Sequence, residues 1–168
     1  MTIKYNNVFI EDAYTICGNY ENDGPLSKYF DKKYEKDLYF GEKSWEQAEV
    51  HLLKEANTNI LKKNKLKEED IDLLISGDLQ NQIAASNYMA REFNIPFLGI
   101  FEACSTSGEG LAIGSTYIEG GFAKRILVST SSHNMAAEKQ FRNPTEYGTP
   151  KPKTATFTST GGVSILLS

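Results

Sequence analysis

The stretch "EACSTSGEG", residues 102–110, places one thiol, three hydroxyls and two glycines at the exit of the apolar run "FLGIF". Cys104 admits three readings there. It can be a thiolate nucleophile that would hold an acyl group as a thioester. It can be the wall of a ligand pocket, or a small buried residue at a corner that tolerates little bulk. The residues after it open a helix, whose orphan amides and dipole favour an anion, so the position would lower a thiol pKa or receive a carboxylate. Ser105, Thr106 and Ser107 add hydroxyls beside it. Asp78 closes "IDLLISGD" and His133 follows "RILVSTS". Both fall at strand exits, where ligands collect in open α/β sheets, so the three can converge. For Asp78 the competing role, and the favoured one, is to cap the next helix. For His133 it is a solvated place beside a helix start.

The elements that must position these residues alternate. A strand is predicted over residues 8–16, then a polar, tyrosine-rich loop with one turn of helix through Gly41. "SWEQ" is a capping box in which Ser44 and Gln47 satisfy each other's amides, and it opens a helix with a buried stripe at Ala48, Leu52, Ala56 and Ile60. Residues 71–78 read as a buried strand, 81–93 as a helix, 97–103 as a second buried strand, and 105–119 as a helix ended by Gly120 and Gly121. "RILVSTS" is a further strand, followed by the short helix "SHNMAAEKQF" and a proline-broken loop through Pro152. "TATFTST" and "VSILLS" then close the chain as an antiparallel pair across Gly161 and Gly162. The result is an α/β chain with a mostly parallel sheet. Gly108, Gly110 and Gly114 each cost ~1 kcal/mol against alanine inside a helix, which argues that another helix or a ligand comes close to that face.

Composition sets the outer bounds. The 168 residues, 40% hydrophobic and 24% charged with a net charge of −4, suit one globular core and disfavour nucleic acid, for which only "LKKNKLK" is basic. No run reaches the ~18 apolar residues of a membrane span, and residues 1–18 lack the apolar core of a signal peptide. Cys17 and Cys104 stand far apart, and His51 and His133 have no metal-ligand spacing. The aromatics from Tyr29 to Phe40 read as packing under a long loop, in preference to a partner surface. The sequence stops at "SILLS" with no polar tail, as if cut at the end of a core strand, which suggests a truncation or half of a larger architecture.

"EACSTSGEGLAIG" resembles the nucleophile elbow of the thiolase superfamily, in which an alanine-cysteine pair ends a core strand and a glycine-bearing helix follows. The order of elements is similar to one half of that duplicated α/β/α/β/α fold. More specifically, "GPLSKYFDK", "SWEQAE", "GDLQNQ", "ACSTSGEGL" and above all "SSHNMAAEKQFRNPTEYGTPKP" resemble the stage V sporulation protein AD family. The likeness implies that residues 1–168 are an N-terminal thiolase-like half-domain, with the C-terminal half expected to be absent.

The resemblance implies a non-catalytic protein that binds dipicolinic acid and helps move it, as a calcium chelate, into the developing spore. Its implied partners are membrane proteins of the stage V sporulation A group. Its implied place is the spore, peripheral at the inner membrane. Cys104 takes the position of the superfamily's nucleophile, while the remaining catalytic residues belong to the other half, so no catalytic set is expected here. The alternative is a thiolase-like or ketoacyl-synthase-like acyltransferase using Cys104. Dipicolinate, a planar pyridine with two carboxylates, is expected to meet Cys104, Ser105, Thr106, Ser107, His133 and Asp78. No cofactor or resident metal is expected, although Asp78 or Glu102 can join the oxygen shell of a calcium brought by the ligand. Lys139 and Arg142 are candidate ion partners for which solvent exposure is the default. A half-fold with a glycine-bearing helix face also suits pairing with a second copy, a homodimer.

Overall fold

The computed structural model describes residues 2–141, 156 and 158–168. Its strands are β1 (Ile10–Cys17), β2 (Lys32–Lys33), β3 (Leu73–Asp78), β4 (Phe97–Gly99), β5 (Ile126–Ser132) and β6 (Gly161–Leu167). The helices are α1 (Asn19–Asn22), α2 (Trp45–Lys63), α3 (Ala84–Ala90), α4 (Thr106–Glu119) and α5 (Asn134–Phe141). The strands form one sheet in the order β2-β1-β6-β5-β3-β4. The β1–β2, β3–β4 and β3–β5 pairs are parallel, whereas β6 runs antiparallel to both its neighbours, β1 and β5.

The closing hairpin is therefore a correction. Thr156 and residues 158–160 are not strand, and Thr154, Ala155 and Phe157 lie outside the described residues. Gly161 and Gly162 begin β6 instead of turning the chain. A Cβ on Gly161 would stand 3.0 Å from the Ile16 carbonyl, and one on Gly162 would stand 3.2 Å from Leu52 of α2. Close packing, not turn geometry, selects both glycines.

Strand alternation divides the core in two. Leu74, Leu127 and Leu166 face α2 and α3, packing with Leu53, Ile60, Ala85 and Met89. Ile75, Val128, Ile126 and Leu167 face the opposite side, with Leu111 and Ile113 of α4. Helix α2 starts where Ser44 accepts a hydrogen bond from the Gln47 amide (3.2 Å), and Ala48, Leu52, Ala56 and Ile60 are fully buried. The same helix buries Glu49 and Asn57, and Asn57 accepts from the Ser164 hydroxyl (2.7 Å) while donating to Ser129 (3.3 Å). Phe40 packs beside Tyr34 (4.3 Å) in a small cluster on α2, whereas Tyr29 and Tyr39 are exposed, so only part of this aromatic run is packing under the loop.

The helix predicted over 81–93 is shorter because Gln82 and Ile83 adopt left-handed conformations (φ 60° and 47°), so regular helix begins only at Ala84. In α4, the approach that Gly110 and Gly114 allow is to the sheet. A Cβ on Gly110 would meet Val128 at 2.6 Å, and one on Gly114 would meet Leu167 at 3.0 Å. Gly108 faces open space.

Candidate functional site

The site begins with a backbone reversal. After β4 the Ile100 amide still bonds the Ser76 carbonyl (3.0 Å), and the chain then turns through Ala103, whose φ is +46°. A left-handed alanine is strained by about 1–2 kcal/mol, and such strain often aims a functional neighbour. The neighbour is Cys104, exposed and unbridged, in a 3-10 turn directly before α4. Gly77 permits this corner. A Cβ there would collide with the Ile100 carbonyl, and it would stand 2.5 Å from the Thr106 methyl.

Cys104, Thr106 and Ser107 form one wall of a cleft of about 680 Å3 at the carboxyl ends of β3 and β5. Thr130 and Ser132 of β5, Thr15 of β1 and the start of β6 complete it. A second groove, about 960 Å3, runs beside α2 and α3, but its flanks are paired surface groups such as Lys54–Glu92 (2.8 Å) and His51–Glu42 (3.1 Å). We place the site chemistry in the smaller cleft.

The hydroxyls of that cleft have largely committed their protons. Thr106 donates to the Ala103 carbonyl (2.8 Å), Thr15 to Asp31 (2.9 Å) and Ser132 to the Ser159 carbonyl (2.6 Å). Carbonyls and carboxylates only accept, so none of these hydroxyls has a proton left for a ligand. Thr15 and Thr106 also accept, from the Asp31 amide (3.2 Å) and the Glu102 amide (3.1 Å). Ser107 and Thr130 bond each other at 2.7 Å, which leaves one hydroxyl proton between them. Ser105 donates to the Glu102 carbonyl (2.9 Å) and is not part of the cleft wall.

The other expected residues, Asp78 and His133, both turn to the α2 side of the sheet. Asp78 lies at the cleft's edge but shares the register of Leu74 and Ser76, on the α2–α3 side. One of its oxygens accepts from the Gln80 amide (2.9 Å) and the other from the Ser86 amide (2.7 Å), so it caps the start of α3. His133 is fully buried and does not line the cleft. Its Nε2 bonds the Leu38 carbonyl (2.8 Å), its Nδ1 faces the Ala136 amide (3.5 Å), and burial holds its pKa below the ordinary value. The alternation of side chains along β5 and the Leu38 bond take it away from a ligand. Lys139 pairs with Glu46 (2.8 Å), and Arg142 lies outside the described residues. Glu102 is exposed.

Sequence reasoning missed Glu49. This carboxyl is fully buried on α2, accepting from the Gln80 side chain (2.8 Å), the Ser131 hydroxyl (3.0 Å) and the His133 amide. Burial is the main cause that pushes its pKa up to about 7. The signal was present in the spacing, since Glu49 lies four residues before Leu53 on the buried face. Among the described residues, no three His, Cys, Asp or Glu side chains gather as a metal site.

In fold, the chain is similar to several solved structures. A point variant of Xanthomonas campestris OleA superposes with a TM-score of 0.65 at 14% identity, over 98% of this chain and 56% of that one. The 3-oxoacyl-(acyl-carrier-protein) synthase III of Aquifex aeolicus VF5 gives 0.58 at 17% identity, over 96% and 51%. The protein thus has a thiolase-like α/β fold, corresponding to one half of the duplicated architecture. The family model described as stage V sporulation protein AD matches residues 1–168, and the chain belongs to that family. Stage V sporulation protein AD of Bacillus subtilis (strain 168) is 52% identical over 161 residues, which is 96% of this chain. The chain spans about half, 47%, of that relative's length.

Proposed function

We propose that the protein is a non-catalytic binder of dipicolinic acid, taken as its calcium chelate, that acts in dipicolinate uptake into the developing spore. The observation that carries this reading is the cleft beside Cys104 in a chain of the stage V sporulation protein AD family. The start of α4 suits a carboxylate, and the Ser132 oxygen, which donates to the Ser159 carbonyl, suits a cation that arrives with the ligand.

Among the described residues no histidine lines the cleft beside the thiol, which supports binding over acyl transfer. An acyltransferase needs a base within reach of the thiol, and neither His51 nor His133 lines this cleft. Action beside membrane proteins at the spore's inner membrane, and pairing with a second copy, belong to the same reading. Among the described residues no helix is long and apolar enough to cross a membrane, so membrane contact would be peripheral for them.

Calorimetric titration of dipicolinate, with and without equimolar calcium, tests the reading. Saturable binding that tightens with calcium is expected. No heat in either condition, on folded protein, overturns it.

A further inference from the structure

Glu49 sits where three segments meet at the carboxyl edge of the sheet. It receives the side chain of Gln80 from the loop after β3, the hydroxyl of Ser131 from β5, and the amide of His133 at the entrance to α5. Asp78 and Ser131 themselves border the cleft. We propose that Glu49 is a positioning residue for the cleft: its carboxyl ties the two loops of the lip to α2, and a proton held there couples ligand binding to pH. The proposal rests on the dipicolinate reading above, and its pH coupling applies to the calcium-free dicarboxylate.

The charges around Glu49 define the coupling. Asp78 of β3 opposes its ionised form, while Gln80 and Ser131 are neutral. His133 turns its ring to Leu38, and Glu46, one turn earlier on α2, is paired with Lys139 of α5. A free dicarboxylate in the cleft adds negative charge beside an already repelled carboxylate, so it favours the protonated form. By linkage, protonation then favours the ligand. A calcium chelate of dipicolinate is neutral overall and brings little such coupling. Burial supports the proton's presence near neutral pH, where Glu49 is pushed up to about 7.

The test is calorimetry of calcium-free dipicolinate and of its calcium chelate on the intact protein from pH 6 to pH 8, in two buffers of different ionisation enthalpy. The free dicarboxylate should lose roughly fivefold in affinity over that range, with proton uptake on binding, while the chelate stays nearly flat. Glu49→Gln, which keeps a donor and an acceptor in place, should bind the free ligand with the same affinity throughout. Ser131→Ala removes one bond that stabilises the ionised form, so it should move the midpoint of the profile to higher pH. A wild-type profile that is flat, or one that Glu49→Gln and Ser131→Ala leave unchanged, overturns this proposal alone. Absence of binding at every pH defeats the dipicolinate reading and this proposal with it.

Discussion

Gly77 and Thr106 touch across the base of the cleft: a Cβ on the glycine would stand 2.5 Å from the threonine's methyl group. The end of β3 and the first turn of α4 are locked together there, and the cysteine corner is carried on that contact. Gly77→Ala is therefore expected to push the corner off the sheet. The cost should be about 2 kcal/mol, in the range of overpacked cores. Urea denaturation measures it, and an unchanged midpoint would show that the corner yields freely.

Ala103 offers a second handle on the same corner. At φ +46° glycine is at ease and a β-branched residue is not. Ala103→Gly should raise stability by up to about 1 kcal/mol, whereas Ala103→Val should lower it by roughly 1–2 kcal/mol. Thermal melts of the two variants must move in opposite directions for the strain to be real.

Cys104 separates binding from acyl transfer. The thiol is exposed in the cleft, but no histidine borders it. Incubation with acyl-coenzyme A followed by intact mass should show no stable adduct on the wild type. Cys104→Ala should change only the affinity for dipicolinate. An adduct that disappears in the alanine variant would restore the acyltransferase alternative.

The readable parts of the sequence are those governed by local rules. The stripe of Ala48, Leu52, Ala56 and Ile60, the Ser44 cap and the strand ending at Asp78 follow from spacing and short-range hydrogen bonds. The errors share a cause, which is that long-range packing decided the outcome. Gly161 and Gly162 look like a turn in sequence, yet they serve close approach to β1 and α2 inside β6. His133 and Cys104 both stand at strand exits, yet the former's ring is taken by Leu38 and the latter's thiol opens into the cleft. The hydroxyls after Cys104 suggested donors, and only the partners of Thr106 and Ser105 show that their protons are committed to carbonyls. Glu49 was passed over because the stripe was traced through its apolar members alone. A charged residue on that stripe is the mark of a buried site.

That carboxyl also sets a pH dependence of folding that needs no ligand to detect. Its pKa rises from 4.5 to about 7 on folding, mainly through burial, so the folded state holds the proton more tightly. The stabilisation is fully present below about pH 4.5 and is lost as pH rises through 7. On the order of 3 kcal/mol is at stake across that window. His133 works the other way, since burial lowers its pKa and acidification below its ordinary range destabilises the fold. The informative quantity is thus the difference between wild type and Glu49→Gln. The variant, neutral at every pH, should match the wild type near pH 4 and exceed it by a margin that grows up to about pH 7 and then levels off. Equal slopes in chemical denaturation across pH 5–8 would mean that Glu49 titrates as an ordinary surface carboxylate, and that water reaches it through the lip of the cleft.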